Sequence, residues 1–521
     1  MKTIKYIFLS AVLLGFTACS DDEYDYTPEP EPLPELTLGS ANLTNYVAIG
    51  ASFSAGYSDG ALFTATQQNS FPKILSEQFG STSFSQPLMN DNTGGLLVGG
   101  TPVAAYRLIF NGAGPQRLNE FFADLGAPAP PITTDAVNNL GGTFNNMGVP
   151  GAKSFHIPLN GYAGLNPYYG RMASSAGASI LEDAVAQNPT FFTLSEIGGN
   201  DVLSYATSGG IGVDQTGNFD PSTYGGNDIT DPNVFAASFS AQVDALTANG
   251  AQGVLANVPY ITSLPFFTTV PNNALVVDAG TAANLTGFFQ AVAGIFTGGL
   301  IQQGVPPAQA QALAAQYAIT FNEGPNRFLI DVPVTPTNPL GFRQMTEDEL
   351  LLLTINQTAL AQGYGSVVLT PDVLQVLGLL QAGGTPTPEQ AGLVLGAVSG
   401  IDDADALDSS ELLSIKNATD AYNTTIAGIA DAKGLGIVDF RSVLEQASTT
   451  GISDGDFTLT TSLVTGGLVS LDGIHLTSRG YAMMANKFLE AIDATYGSNF
   501  IAAGVKANTG DYPTNYSPTL Q

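Results

Sequence analysis

The chain has 521 residues, of which 44% are hydrophobic and 12% charged, and it contains 59 glycines and 31 prolines. This composition is typical of a loop-rich globular protein and excludes an intrinsically disordered chain. Its 45 acidic residues outnumber its 15 basic residues, which gives a formal net charge of -30. Such a charge repels phosphate backbones, so nucleic acid is excluded as the expected partner.

The N-terminal segment has the pattern of an export signal. Lys2 and Lys5 precede an apolar run from Tyr6 to Ala18 that is too short to span a membrane comfortably. The run ends at Cys19, the only cysteine in the chain, and the residues before it resemble a lipobox. We therefore predict that residues 1–19 are a lipoprotein signal peptide and that Cys19 is lipidated. The alternative is an ordinary signal peptide that is cut nearby, with Cys19 lost.

Residues 20–40 are acidic and rich in proline, as in the run DDEYDYTPEPEPLPE from Asp21 to Glu35. This composition predicts an extended, solvated tether. The segment from Ser20 to Glu23 is similar to the acidic signal that sends some Gram-negative lipoproteins to the outer face of the outer membrane. The expected location is therefore outside the cell, on an outer membrane to which the N-terminal lipid anchors the protein.

A folded domain is expected from residue 41 to residue 500, followed by a C-terminal tail at 501–521. Its first predicted strand, Tyr46 to Gly50, ends at a Gly-x-Ser-x-Ser-x-Gly turn that carries Ser52. A strand that ends in this way lifts a hydroxyl to the carboxyl edge of a sheet, where α/β enzymes place their chemistry. Taken alone, the turn is also an ordinary junction between a strand and a loop.

Two later glycine-rich turns have groups that can hold a negatively charged oxygen. The first, Gly148 to Gly151, is a tight loop whose backbone N–H groups can point at a ligand oxygen. The second, Gly198 to Asp201, follows an apolar run and includes Asn200. The Asn200 amide can donate a hydrogen bond to an oxyanion or simply close an Asx turn. Each segment also fits a plain turn.

The chain has only two histidines, which restricts the search for a general base. His475 lies three residues after Asp472, close enough for this carboxylate to fix the ring tautomer and leave the other nitrogen for Ser52. His156 has no carboxylate within ten residues of sequence. We therefore predict that His156 is structural, or at most a wall of the pocket.

Together these segments resemble blocks I, II, III and V of the SGNH (GDSL) hydrolases, in chain order. The matching residues are Gly50-Ala51-Ser52-Phe53, Gly151, Gly199-Asn200-Asp201 and Asp472-Gly473-Ile474-His475. One departure is that Ala51 and Phe53 stand where the family usually has Asp and Leu. Neither residue transfers a proton, so the departure concerns the sub-family more than the chemistry.

The resemblance implies an esterase or lipase with a Ser-His-Asp triad. Ser52 would attack an acyl carbonyl, His475 would take and return its proton, and Asp472 would orient the imidazole. The backbone N–H groups of Ser52 and Gly151 and the side-chain amide of Asn200 would form the oxyanion hole. Two separated histidines and a single cysteine make no transition-metal cluster, so we expect no metal and no cofactor.

The same chain pattern predicts the fold class. Strand-like runs alternate with helical runs, which favours an α/β protein with a parallel sheet and helices on both faces. The resemblance makes this a flavodoxin-like, three-layer α/β/α fold. Strands are expected at 46–50, 191–197, 253–258 and 436–440. Helices are expected at Asn233–Asn249, Ser410–Lys433 and Ser478–Tyr496.

Two long insertions interrupt the pattern. Residues from about 270 to 408 are expected to be mainly helical, with helices at 282–300, 307–317, 346–360, 370–381 and 387–398. The apolar run within 287–300 is interrupted by glycines and Gln290, and it is expected to be a buried or surface-packed helix. We favour a cap that supplies the acyl pocket, because the ends of the insertion re-enter the core beside the catalytic edge. The alternative is a helical interaction domain without a catalytic role. Residues 58–143 are expected to form a further rim.

The functional hypothesis is a cell-surface esterase or lipase that cuts acyl esters of lipids, glycans or small molecules. One alternative is a non-catalytic outer-membrane lipoprotein that has kept the SGNH scaffold for binding, and another is a carbohydrate O-deacetylase. Retention of all five residue types of the proposed site favours an enzyme. The sequence does not select the acyl group.

Overall fold

The structure is a computed structural model, and it describes residues 32–520. The predicted signal peptide, the lipidation site at Cys19 and the tether residues 20–31 lie outside the described residues. Within the described part, Thr37 and Glu35 exchange hydrogen bonds with Asn499, and Ser40 donates to the carbonyl of Tyr496. The end of the predicted tether is therefore attached to the domain.

A five-stranded parallel sheet forms the centre of the protein. Its strands are β1 (Tyr46–Gly50), β2 (Asn146–Gly148), β3 (Phe191–Leu194), β4 (Gln252–Ala256) and β5 (Gly436–Val438). They lie in the order β2-β1-β3-β4-β5. Strands β1 and β3 are buried along their whole length, which explains why both are continuous apolar runs. The predicted α/β class is confirmed.

The strand predictions differ from the structure at one strand and at several ends. Strand β2 was expected only as a tight loop, because three residues that include Asn146 and Gly148 carry no β-type apolar run. Strands β3, β4 and β5 end two or three residues earlier than expected. The residues after these ends belong to loops that hold polar groups at the edge of the sheet.

Helices pack around the sheet. Among them are α1 (Phe71–Gln78), α2 (Asn200–Thr207), α3 (Pro232–Thr247), α4 (Ser409–Lys433) and α5 (Ser478–Tyr496). The Thr477 side chain accepts a hydrogen bond from the N–H of Gly480 and so caps α5, and Gly497 ends it in a left-handed conformation. The predicted helix at 478–496 is confirmed residue for residue, and those at 233–249 and 410–433 within two residues at each end.

The helices pack in two sets. Tyr46 of β1 and Phe191 of β3 are direct neighbours in the sheet, and Phe191 contacts Tyr496 of α5 at 5.7 Å between ring centroids. Helix α1 packs on α5 through Phe71 and Phe488, whose rings stack at 4.9 Å. In the second set, α3 and α4 pack against each other and α4 contacts β4 and β5. Aromatic stacking thus joins the helices to the sheet and to one another.

The insertion from about 270 to 408 contains four of its five expected helices. They are Ala279–Gln302, Pro307–Ala314, Pro371–Gln381 and Pro388–Leu395. The insertion has its own hydrophobic core, which includes Phe288, Phe289, Val292, Tyr317, Phe342 and Val376. The first of these helices is long and apolar enough to cross a membrane by length and composition, although 22% of its most apolar window is buried in the protein. A single helix of this kind is weak support for a membrane span.

The helix expected at 346–360 is wrong. This segment instead contains a two-residue strand, Leu350–Leu351, and a short helix at Gln357–Ala361. Leu350 and Leu351 pair with Leu407 and Ala406 in a two-stranded antiparallel sheet, and this long-range pairing is what the local helical pattern does not encode. The buried side chain of Glu349, directly before this strand, pairs with Arg343 at 2.5 Å.

The remaining segments pack onto the same domain. Residues 58–143 contain two small β-hairpins, with strands at Leu96–Val98 and Thr101–Ala104 and at Leu108–Phe110 and Pro115–Arg117. The C-terminal segment after residue 500 also folds back onto the domain. The Asn486 side chain of α5 exchanges hydrogen bonds with the backbone of Ala507, and the buried Arg107 donates to the carbonyl of Ser517 at 2.6 Å.

Candidate active site

Ser52, Gly151 and Asn200 follow three neighbouring strands at the same edge of the sheet. Ser52 follows β1, Gly151 follows β2 and Asn200 follows β3. The N–H of Val149 donates to the carbonyl of Gly50 at 3.1 Å, which extends the pairing of β1 with β2 up to the two loops. The carboxyl ends of parallel strands meet at one edge, and this edge therefore collects the predicted residues.

Ser52 and His475 are in hydrogen-bond contact. The Ser52 hydroxyl oxygen lies 2.9 Å from Nε2 of His475, although the two residues are 423 positions apart in sequence. Ser52 begins a four-residue helix, Ser52–Ala55, and is 8% exposed. The other ring nitrogen of His475, Nδ1, lies 2.7 Å from Oδ2 of Asp472. The structure thus brings together the serine, histidine and aspartate that the sequence singled out.

Asp472 is held by a dense set of hydrogen bonds. Its Oδ1 atom accepts from the backbone N–H groups of Ile474 and His475, and its Oδ2 atom accepts from the N–H of Gly60 at 2.8 Å. Burial opposes its ionisation, but the charge and hydrogen bond of His475 outweigh burial and, with the two backbone donors, hold the Asp472 pKa well below its usual range. Asp472 is therefore a carboxylate at neutral pH.

The hydrogen bonds assign the tautomer of the neutral imidazole. Because Asp472 is ionised and can only accept, Nδ1 of His475 carries a proton, and in the neutral ring Nε2 is then the acceptor for the Ser52 hydroxyl. The ring is held from the sides by Tyr57 and Phe53, whose centroids lie 4.6 Å and 5.5 Å from it. This is the arrangement in which histidine can remove a proton from serine.

Two backbone N–H groups at this edge have no protein acceptor. Among residues 32–520, neither the N–H of Ser52 nor the N–H of Gly151 makes a hydrogen bond. Gly151 has φ +78° and is exposed, and a side chain there would strain the loop. Asn200 reaches the same loop, because its side-chain amide donates to the carbonyl of Ala152 at 2.9 Å. The second hydrogen of this amide is left for another acceptor.

The last residue of the Gly-Gly-Asn-Asp turn has a structural role. Asp201 is fully buried and accepts hydrogen bonds from the backbone N–H and the hydroxyl of Ser154, at 2.8 Å and 2.6 Å. These bonds tie the start of α2 to the loop that contains Gly151. The bond of Asn200 to Ala152 and the bonds of Ser154 to Asp201 thus fix the position of Gly151 relative to Asn200.

An apolar cleft of about 850 Å³, including its open mouth, begins at Ser52 and Asn200. Its walls are mainly aliphatic side chains, among them Leu203, Val258, Ile261, Val443, Leu444 and Met484. None of its lining residues among 32–520 belongs to the insertion at 270–408 or to residues 58–143. The expectation that the insertion supplies the acyl pocket is therefore wrong for this cleft. Residues 58–143 do not line it either, although Gly60 of this segment meets the site by donating to Asp472. The insertion packs around its own core instead and touches the site through Leu353, which lies beside Gly473.

His156 lies outside this cleft. Its ring stacks on Tyr162 at 4.6 Å between centroids, and its Nδ1 atom accepts a hydrogen bond from the N–H of Lys153. Burial, together with the charge of Lys153, lowers the pKa of His156 to about 4. His156 is a neutral packing residue, in line with the structural role expected from sequence.

Sequence reasoning missed three residues that shape the site. The turn at Asp59 and Gly60 supports the loop of Asp472, since Asp59 accepts from the N–H of Leu471 and Gly60 donates to Asp472. Glu196 contacts the turn that carries Ser52. A signal for Glu196 was present, because it lies inside the apolar strand expected at 191–197, and an acidic residue there needs partners.

Comparison of the chain with protein-family models, with curated proteins and with solved structures found no match. The chemistry of the site is therefore inferred from its own atoms.

Proposed function

We propose that this protein is a serine esterase of the SGNH hydrolase type that cleaves carboxylic acyl esters. The observation that carries this proposal is the continuous hydrogen-bonded line from Ser52 through His475 to Asp472, with distances of 2.9 Å and 2.7 Å. The strand order β2-β1-β3-β4-β5 is that of flavodoxin-like sheets, which supports the proposed fold type.

In the first half of the proposed reaction, the Ser52 oxygen attacks the ester carbonyl carbon while its proton passes to Nε2 of His475. The carbonyl oxygen becomes an oxyanion that accepts hydrogen bonds from the N–H groups of Ser52 and Gly151 and from the Asn200 amide. The ester C–O bond then breaks, and His475 returns the proton to the leaving alcohol. Asp472 stabilises the imidazolium during both transfers.

In the second half, water replaces the alcohol. His475 Nε2 removes a proton from a water molecule, which attacks the carbonyl carbon of the acyl-Ser52 ester. The tetrahedral intermediate occupies the same oxyanion hole, and the Ser52–acyl bond breaks as His475 returns the proton to the serine oxygen. The carboxylic acid leaves and the enzyme is restored.

In this proposal the cleft binds the acyl chain of the ester, and its wall bears on the length of that chain. Its wall beside Ser52 is mainly aliphatic, and removal of an acyl chain from water into such a wall is favourable. An acetyl group has one methyl to bury and gains little from this wall. The cleft therefore favours an acyl chain of several carbons over the acetyl group that a carbohydrate O-deacetylase removes.

The proposed setting is the outer face of a Gram-negative outer membrane. In this proposal the lipidated Cys19 anchors the protein, and the acidic, proline-rich residues 20–40 separate the domain from the lipid surface. The esters of membrane lipids, of glycans and of small molecules are all accessible from this position.

A fluorophosphonate probe tests the proposal, because it reacts with serines activated by histidine. We expect the wild type to be labelled, Ser52→Ala to be unlabelled, and Ser448→Ala, which removes an exposed serine near the end of the helix Phe440–Thr449, to be labelled like the wild type. An unlabelled wild type would overturn the enzyme proposal in favour of a non-catalytic scaffold. Undiminished labelling of Ser52→Ala would place the reactive serine elsewhere.

A further inference from the structure

A carboxyl group lies directly behind the turn that carries Ser52. Oε1 of Glu196 accepts hydrogen bonds from the backbone N–H of Ala51 at 2.5 Å and from that of Ser54 at 2.9 Å. These two donors lie on either side of Ser52 in sequence. Both Ala51 and Ser54 are buried, so their N–H groups depend on the carboxyl oxygen as their acceptor.

The backbone is shaped to bring this carboxyl group into place. Glu196 itself has φ +50°, a left-handed conformation that is rare for a residue with a side chain. A Cβ atom on Gly50 would lie 2.7 Å from Oε1 of Glu196 and 2.2 Å from the hydroxyl of Ser54. The first glycine of the nucleophile motif therefore leaves the space that the Glu196 carboxyl occupies.

The second carboxyl oxygen of Glu196, Oε2, is buried without a well-formed hydrogen bond in the described part of the chain. It lies near the hydroxyls of Ser195 and Ser54, and none of these three oxygens has a partner at full hydrogen-bond geometry among residues 32–520. Burial raises the pKa of Glu196 to about 7, against the opposing effect of hydrogen bonds that include the Ser54 and Ala51 amides. Burying these oxygens without full hydrogen bonds is unfavourable. We therefore attribute the presence of the carboxyl group to its contact with the turn, through the N–H groups of Ala51 and Ser54.

We propose that Glu196 is a positioning residue for the nucleophile. By accepting from Ala51 and Ser54, its Oε1 atom fixes the turn so that the Ser52 hydroxyl meets Nε2 of His475. The same contact keeps the Ser52 N–H, which has no acceptor among residues 32–520, directed away from the protein and available to an oxyanion. Glu196 itself does not touch the substrate carbonyl in this role. The inference rests on the proposed esterase function.

The role depends on the reach of the side chain and not on its charge, and two variants separate these properties. Glu196→Gln keeps a carbonyl oxygen at the same distance and removes the charge. Glu196→Asp keeps the charge and shortens the side chain by one methylene, so its oxygen no longer reaches both amides. Misplacement of a reacting group by about 1 Å costs about 100-fold in rate.

Steady-state hydrolysis of a p-nitrophenyl acyl ester is the measurement, with thermal unfolding as the check on folding. We expect Glu196→Asp to lower kcat by about 10- to 100-fold with KM changed by less than about threefold, and Glu196→Gln to stay within about threefold of the wild type in both. A variant that is only partly folded is compared by its rate of fluorophosphonate labelling per folded molecule.

The outcomes separate this inference from the proposed function. A wild type that neither hydrolyses esters nor reacts with the probe overturns the proposed function itself. An active wild type together with an equally active Glu196→Asp overturns only the positioning role. An active Glu196→Asp with an inactive Glu196→Gln would show that charge matters and not reach, which also contradicts the proposal.

Discussion

His475 and Asp472 are joined twice, since the ring Nδ1 lies 2.7 Å from Oδ2 and the backbone N–H of His475 donates to Oδ1 at 2.8 Å. Asp472→Asn preserves the volume but removes the carboxylate that fixes the tautomer. We expect kcat to fall by about 10³- to 10⁴-fold with little change in KM, measured by ester hydrolysis. Asp244→Asn, which alters an exposed carboxylate paired with Lys433, is the control. A wild-type kcat for Asp472→Asn would remove Asp472 from the mechanism.

Asn200 provides the side-chain donor of the proposed oxyanion hole. Asn200→Ala removes that donor and also its bond to the carbonyl of Ala152, which lies in the loop of Gly151. We expect kcat to fall by about 10²- to 10³-fold, because the donor acts on the charge that develops in the transition state. Kinetics with a p-nitrophenyl ester measure this effect, and the melting temperature reports any loss of folding. A folded Asn200→Ala with more than half of the wild-type kcat would exclude Asn200 from this role.

The aliphatic cleft predicts a preference among acyl chains. Each buried methylene contributes about 0.8 kcal/mol, so kcat/KM should rise about fourfold per added methylene until the cleft is full. A series of p-nitrophenyl esters from acetyl upward, tested beside acetylated glycans, measures this dependence. Val443→Trp should fill the cleft and reduce activity on long chains while sparing the acetyl ester, since Val443 lines the wall. Wild-type preference for acetyl esters would contradict this assignment and favour an O-deacetylase.

Gly473 lies between Asp472 and His475 and has φ +75°. A Cβ atom there would lie 2.8 Å from the backbone N of Phe266 and 3.1 Å from Leu353. We therefore expect Gly473→Ala to lose both stability, by about 1–3 kcal/mol or more, and activity. Gly497→Ala is the matched control: Gly497 has φ +72° and a Cβ there meets nothing within 4 Å, so only backbone strain is added. Full activity of Gly473→Ala would show that the loop tolerates displacement.

The Glu196 carboxyl gives the protein a dependence of stability on pH. Its pKa is raised from 4.5 to about 7, so the neutral form is favoured by folding. The stability it contributes is complete below about pH 4.5 and is lost as the pH rises to about 7. Relative to Glu196→Gln, the wild type should lose about 1 kcal/mol of unfolding free energy per pH unit between pH 5 and 7, and then level off. Urea unfolding at several pH values measures the difference, and parallel curves for the two proteins would contradict it. Tyr46 and Tyr481, which also face Glu196, have pKa values raised by burial and stay neutral in this range.

Much of the site could be predicted from sequence, because few residues in the chain could act as the general base. With two histidines in the chain, only His475 had a nearby carboxylate, and Ser52 followed a predicted strand. Parallel strands end at a common edge, so a strand and a loop far apart in sequence were expected to converge. Helix limits were also predictable where caps are local, as at Thr477, whose side chain accepts from an N–H three residues on.

The features that the sequence did not predict depend on tertiary contacts that no local pattern encodes. The hydrogen bonds of Glu196 reach Ala51 and Ser54, two residues of one turn that lie 145 and 142 residues from it in sequence. The helical pattern at 346–360 gives way to a strand at Leu350–Leu351, whose partners Leu407 and Ala406 are far away in sequence. The acyl pocket was assigned to the insertion, whereas the cleft wall comes from the loop after β4, from the helix Phe440–Thr449 and from α2, α5 and the segment before α5.

Hydrolysis of a p-nitrophenyl acyl ester by the wild type, Ser52→Ala, His475→Ala and the double variant tests most directly whether Ser52 and His475 form one catalytic unit. The account predicts turnover by the wild type, a loss of about 10⁶-fold for either single variant, and no further loss for the double variant. A wild type that does not exceed the uncatalysed rate, or a Ser52→Ala that turns over like the wild type, would contradict it.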